Sequence, residues 1–136
     1  MGKKILLVDD DIDIAADISK ILSEKGYEVT EAHSAAEALK KVLAVRPDLI
    51  ILDIMMETDT AGFEFAGQLR SSRATSRYRE VSAVPIIMLT AINQRTNSRF
   101  SLDDRESFLP GINDFLTKPI NFDSLLGKVS KLTSHV

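Results

Sequence analysis

The hydrophobic positions fall into short unbroken runs separated by stretches of helical spacing. Ile5-Leu6-Leu7-Val8, Leu49-Ile50-Ile51-Leu52, Ile86-Ile87-Met88-Leu89 after Pro85, and Asp114-Phe115-Leu116-Thr117 are the runs. Apolar runs of this length without alternation predict strands buried on both faces, as in a parallel sheet covered by helices. Tyr27-Glu28-Val29-Thr30-Glu31-Ala32 alternates instead and predicts a half-buried strand. Between them, Ile14, Ile18, Ile21 and Leu22 recur at helical spacing from Asp11 to Lys25, with Gly26 as the stop. Ser34-Ala35-Ala36-Glu37 reads as a capping box that opens a second helix. Ala38, Leu39, Val42 and Leu43 form its inner stripe, and Pro47 ends it. Gly62 or Phe63 opens a third helix running to about Arg70. Asn121 caps a last helix with Leu125, Leu126, Val129 and Leu132 inward.

Three stretches carry weaker patterns. Met55 to Ala61 reads as a loop. Ser71 to Ala83, with Arg73, Arg77, Arg79 and Tyr78, reads as a solvated extended connection. Ile92 to Pro110 has no clear period; a fourth helix, short or displaced, is expected there, with a helical turn near Asp103 to Phe108.

Five strands alternating with helices imply right-handed crossovers and an α/β domain. The architecture that suits them is the flavodoxin-like doubly wound five-stranded parallel sheet, order 2-1-3-4-5, with helices on both faces. Residues 1–136 are expected to form this single domain, with no output domain.

Composition narrows the chemistry. The chain has 136 residues, a net charge of -3 and no cysteine. Disulfides, thiolate catalysis and Cys-based zinc sites are excluded. The acidic balance offers no broad basic surface for nucleic acid. His33 and His135 lack ligand spacing and read as surface residues. No run approaches the ~20 apolar residues that span a bilayer, and the N-terminus lacks a signal-peptide core. A cytoplasmic protein is expected, without direct membrane or nucleic-acid contact.

The runs end in a compatible set of side chains. The first ends in Asp9-Asp10-Asp11, the second in Asp53, the third in Thr90-Ala91, the fourth in Lys118-Pro119. Ligands of open α/β sheets bind beyond the carboxyl ends of the strands, so Asp9, Asp10, Asp53, Thr90 and Lys118 should converge on one rim. Asp53 is expected there to be solvated enough to ionise. Asp11 and Asp13 read as turn formers or caps. Three close carboxylates repel, and without a partner at least one pKa is pushed up. A divalent cation relieves this, and all-oxygen ligands favour magnesium. Lys118 adds a compact positive charge and Thr90 a hydroxyl, a set suited to a phosphoryl group. Asp53 is the natural nucleophile, since carboxylates form aspartyl phosphates.

On Ile5 to Asp11, Leu49 to Asp53, Met88 to Ala91 and Asp114 to Pro119, the chain resembles the receiver domains of two-component response regulators. It is similar to the stand-alone chemotaxis response regulator. The resemblance implies that Asp53 accepts a phosphoryl group from a histidine kinase phosphohistidine, or from a phosphotransfer protein in a phosphorelay. Asp10 and Asp53 would bind Mg2+ through side chains, Met55 through its backbone carbonyl, and Asp9 mainly through a water. Thr90 would move toward the phosphoryl oxygen and Lys118 would pair with it. The Lys118-Pro119 bond would be cis, and Phe115 matches an aromatic switch position that is often Tyr. The implied partners are the kinase and a downstream effector or dimer partner. The domain would catalyse only its own phosphorylation and dephosphorylation.

The chain also departs from the family. Glu57 stands where Pro is common, and the loop to Gly62 is one residue longer than usual. The connections around 71–83 and 92–110 are longer too. By the resemblance, Met55 and Ile92 occupy positions that flank the path of the attacking water, and both are apolar. A long-lived acyl phosphate is therefore expected, read out by its autodephosphorylation rate. The alternative is a Mg-dependent phosphohydrolase with an aspartate nucleophile. It needs a second acid two residues after the nucleophile, where Met55 stands. A nucleotide switch lacks its Gly-rich loop.

Overall fold

The computed structural model describes residues 3–54, 61–69, 81, 83–91 and 112–133, apart from the side chains at 61, 63 and 91. The elements, in chain order, are β1 (Lys4–Val8), α1 (Ile12–Glu24), β2 (Glu28–Ala32), α2 (Ala35–Val45) and β3 (Leu49–Asp53). They continue with α3 (Ala61–Leu69), β4 (Ile86–Ala91), β5 (Asp114–Lys118) and a C-terminal helix, here α4 (Phe122–Thr133). The five strands form one sheet in the order β2-β1-β3-β4-β5, every pair parallel. This is the expected flavodoxin-like order. The loop at 55–60, residues 71–80 of the expected solvated connection and the fourth helix expected within 92–110 lie outside the described residues; at the described end of that connection Val81 is not solvated but buried in the core.

Strand alternation sorts the core into two layers. Leu6, Val8, Ile50, Leu52, Ile86, Met88 and Phe115 face α2 and α3. Ile5, Leu7, Leu49, Ile51, Ile87, Leu89 and Leu116 face α1 and α4. All of these side chains are buried, and burying each fully contributes about 1.5–3 kcal/mol. That explains why the runs in β1, β3 and β4 are apolar on both faces: the sheet has no wet side there.

Local capping agrees with the sequence except at one point. Asp11 caps α1, its side chain accepting from the Ile14 N–H at 3.1 Å, and Gly26 has φ +94° after the helix. Ser34 Oγ accepts from the Glu37 N–H at 3.1 Å. Glu37 does not close the box on Ser34, however. Its Oε1 accepts from the His33 N–H at 2.7 Å, one residue further back, while Lys41 Nζ lies 2.9 Å from its other oxygen. The His33 backbone donor and then Lys41 hold the Glu37 carboxyl below the ordinary carboxylate range.

The amino edge of the sheet is closed by two matching clamps. Asp48, just before β3, donates its N–H to the Lys4 carbonyl at 2.7 Å and accepts from the Lys4 N–H at 2.8 Å. Asn113, just before β5, does the same with Ile86, at 2.9 Å in each direction. At the other edge, α3 crosses beneath the end of β3 at Gly62, which is buried and donates to the Ile54 carbonyl at 3.3 Å.

Candidate functional site

The register brings the predicted residues to one rim. Val8 pairs with Leu52, so Asp9 and Asp53 follow on adjacent strands. The Asp9 N–H continues the ladder to the Ala32 carbonyl at 3.0 Å. Carboxylate oxygens of Asp9, Asp10 and Asp53 lie within 4.8 Å of one another. Asp9 is fully buried, Asp53 is 5% exposed and Asp10 is exposed.

Lys118 reaches this cluster from two strands away. Asp53 pairs with Leu89 and Lys118 with Ala91, so the lysine starts two rungs beyond the aspartate. At about 3.3 Å per residue the offset is roughly 6.6 Å, a span that the long lysine stem covers. Its Nζ donates to Asp53 Oδ2 at 3.0 Å and lies 3.2 Å from Asp9 Oδ2. The Lys118-Pro119 bond is cis.

Thr90 is 3% exposed and sits one residue past the partner of Asp53, opposite Thr117. Alternation places its side chain with Met88 and Phe115, in the layer of α2 and α3. The same alternation places Asp9, Asp53 and Lys118 toward α1 and α4. Thr90 thus joins the rim from the other side of the sheet. Phe115 is 8% exposed and opposes Met88, so this aromatic is packed inward. Asp11 is a helix cap, as expected, and Met55 lies outside the described residues.

The electrostatics correct one expectation. Asp53 is not solvated: β1 and β4 flank its strand, and α3 presses on its backbone. Burial pushes its carboxyl up to about 7, with Asp9 adding to the rise and Lys118 opposing it. Burial works against the Lys118 ammonium too, but Asp53 and Asp9 outweigh it, and its pKa is raised. Asp9 Oδ1 accepts from the Asp11 N–H at 3.0 Å. Asp9 Oδ2 is buried beside the Lys118 ammonium at 3.2 Å but makes no well-aligned hydrogen bond to the described residues.

A buried carboxylate oxygen without a hydrogen bond, beside a second carboxyl held near neutrality, is a donor set short of positive charge. A small hard cation would fit this donor set, to which Asp9, Asp10 and Asp53 each offer a carboxylate oxygen. Bound there, it would draw Asp53 toward its ionised form and neutralise oxygens of an incoming phosphoryl group.

Two features of the site have no clear mark in the sequence. One is the double engagement of Lys118, with Asp9 as well as Asp53. The other is Gly62, beneath the end of β3. The sequence signals for Gly62 are a glycine in the first turn of a helix, which lowers helix propensity, and the family loop that ends at it.

Comparison with known proteins shows the family and the fold. The family model described as "Response regulator receiver domain" matches residues 5–130. The chain is 35% identical over 133 residues to "Response regulator MprA" of Mycobacterium ulcerans, covering 97% of this chain and 50% of that one. The protein of the same name from Mycobacterium tuberculosis strain H37Rv is also 35% identical, with 97% and 51% covered. The chain therefore spans about half the length of these curated relatives. Among solved structures, the Francisella response regulator 1452 receiver domain superposes with a TM-score of 0.77 at 29% identity, covering 98% of both chains. A two-component response regulator from Clostridium difficile gives 0.76 at 27% identity, again covering 98% of both.

Proposed function

The chain belongs to the response regulator receiver domain family, and on that premise we propose that Asp53 is its phosphoacceptor. The domain is a phosphoaccepting signalling switch of a two-component system, and the phosphohydrolase alternative is not favoured. What carries the residue assignment is one arrangement. Asp9, Asp10 and Asp53 gather within 4.8 Å, and Lys118 Nζ stands 3.0 Å from Asp53.

In the proposed reaction, an ionised Asp53 oxygen attacks the phosphorus of a phosphohistidine. The O–P bond forms, the N–P bond breaks, and the freed imidazole takes up a proton. Lys118 turns its ammonium from the carboxylate pair to the oxygens of the transferred group. Thr90 offers its hydroxyl from the adjacent strand. Asp10 and Asp53 would hold Mg2+ through their side chains and Asp9 mainly through a water, with the Met55 carbonyl that the family resemblance implies.

We read the partner from the surface beside the site. A groove of about 230 Å³ is lined by Ile14, Asp17, Lys118, Pro119, Ile120 and Phe122. Ile12, 64% exposed, is the large hydrophobic residue left in solvent among the described residues. This apolar ground, with Asp17 and Lys118 as its charged lining, suits a histidine kinase or phosphotransfer protein delivering its phosphohistidine. A downstream protein or a second copy then reads Thr90 and Phe115. The likeness to the stand-alone chemotaxis regulator is part of this proposal and rests on Ile5 to Asp11, Leu49 to Asp53, Met88 to Ala91 and Asp114 to Pro119. A cytoplasmic setting belongs to the same reading. No helix among the described residues is long and apolar enough to cross a membrane.

The test is intact-mass spectrometry with acetyl phosphate and Mg2+. An adduct of ~80 Da, the mass a phosphoryl group adds, is expected on the wild type and absent from Asp53→Asn. An adduct that persists in Asp53→Asn, or forms equally well in EDTA, rejects the assignment.

A further inference from the structure

We propose that Gly62 is a positioning residue for Asp53: the absence of a side chain there sets where the end of β3 holds the nucleophile. The proposal rests on Asp53 being the phosphoacceptor.

The observation is steric. A β-carbon on Gly62 would lie 2.6 Å from the Asp53 carbonyl oxygen, 2.7 Å from the Ile54 carbonyl oxygen and 2.8 Å from Ile54 Cα. All three are backbone atoms, so no side-chain rotation relieves the clash. The neighbouring glycines differ. Gly67, on the same helix, and Gly127, on α4, would meet nothing within 4 Å. Nor does a left-handed backbone explain the glycine, because the positive φ among the described glycines belongs to Gly26.

The strand end is held on both sides at this point. The Ile54 N–H donates to the Leu89 carbonyl at 3.0 Å, and the Ile54 carbonyl accepts from Gly62 at 3.3 Å. Ile54 itself is 4% exposed and packs among the residues facing α2 and α3. A side chain at 62 must therefore either lift α3 or push the Asp53–Ile54 backbone toward the rim. Asp53 Oδ2 stands 3.0 Å from Lys118 Nζ, so a shift of a few tenths of an ångström is a large fraction of its tolerance. Misplacement by about 1 Å at a reacting centre costs on the order of a hundredfold in rate.

The experiment compares Gly62→Ala, Gly67→Ala and wild type in the full chain, with acetyl phosphate and Mg2+ well below each melting transition. The rate of gain of the phosphoryl adduct, per folded molecule, is measured against Mg2+ concentration. We expect Gly62→Ala to lower the maximal rate about tenfold or more, and Gly67→Ala to match wild type. A purely structural role would lower the melting temperature of Gly62→Ala and leave its maximal rate unchanged, which overturns the proposal. Equal slowing in Gly67→Ala overturns it as well. If Gly62→Ala does not fold, the double variant Gly62→Ala, Gly67→Ala repeats the test with added helix propensity. Failure of that variant to fold assigns Gly62 a structural role only and rejects the inference. A wild type that gains no adduct rejects instead the reading of Asp53 as phosphoacceptor.

Discussion

At the amino edge of the sheet, Asp48 and Asn113 each satisfy an amide and a carbonyl of the neighbouring strand. At the carboxyl edge, Asp9 keeps a buried oxygen without a hydrogen bond, and Asp53 is held near neutrality. The same strands are thus finished polar-for-polar at one end and left short of positive charge at the other. Buried polar groups are normally paired because leaving one unmade costs about 1–3 kcal/mol. At the rim that cost falls on Asp9 Oδ2, which has the Lys118 ammonium at 3.2 Å but no hydrogen bond to the described residues, while the clamps opposite hold the register.

The largest effect that could break this comparison is expected from Lys118. Its ammonium is 3.0 Å from Asp53 and 3.2 Å from Asp9. Removing one partner of a buried ion pair leaves the other charge uncompensated, at a cost of roughly 3 kcal/mol for a lysine that is itself partly exposed. Lys118→Met should therefore lower the urea midpoint strongly at pH 8 without divalent cation. The loss should shrink at pH 5, where Asp53 is protonated. An equal loss at both pH values would mean that the rim carboxylates are not what Lys118 stabilises.

Next comes Asp53 itself. Its folded pKa, about 7, stands above the ordinary value of 3.8. The fold therefore favours the protonated carboxyl. The contribution of this group to stability is intact below 3.8 and is lost as pH rises through about 7. A tenfold change in an ionisation equilibrium corresponds to about 1.4 kcal/mol; because Asp9 shares in the rise, the loss assigned to Asp53 alone is roughly 2–3 kcal/mol. Asp53→Asn should be more stable than wild type by about that amount at pH 8, and no different below pH 4. A melting comparison across pH, without divalent cation, checks this. Adding Mg2+ at pH 8 should stabilise wild type and leave Asp53→Asn almost unmoved.

The smallest effect belongs to the quiet edge. Asn113→Ala strands the Ile86 N–H, and Ile86 is fully buried. The expected cost is about 1–2 kcal/mol, the same at pH 5 and pH 8, with no change in the rate of phosphorylation in folded protein. Slowing by Asn113→Ala comparable to that from a rim substitution would erase the distinction between the two edges.

Much of this is legible in the chain itself. Uninterrupted aliphatic runs announce strands buried on both sides, and polar residues at their ends announce the rim. What stays hidden depends on contacts distant in sequence. Asn113 clamps Ile86 from 27 residues away, and Asp48 clamps Lys4 from 44. Nothing local marks either residue as more than a turn former. The burial of Asp53 is hidden for the same reason: a carboxylate at a strand end reads as exposed until the helix crossing beneath it is known. The Glu37 side chain reaches back past the cap residue to the His33 N–H, because the pattern fixes spacing and not which backbone donor is met. Met55 and the expected fourth helix fall outside the described residues.

The alternation that splits the core has a consequence for genetics. In β1, β3 and β4, odd-numbered positions look toward α1 and α4 and even-numbered ones toward α2 and α3; in β5 the parity reverses. Variants blocked in accepting phosphate should cluster on the first set, with Asp9, Asp53 and Lys118. Variants that accept phosphate but fail to transmit it should cluster on the second, with Thr90 and Phe115. A screen scoring the two phenotypes separately would then recover the pleat of the sheet from residue numbers alone.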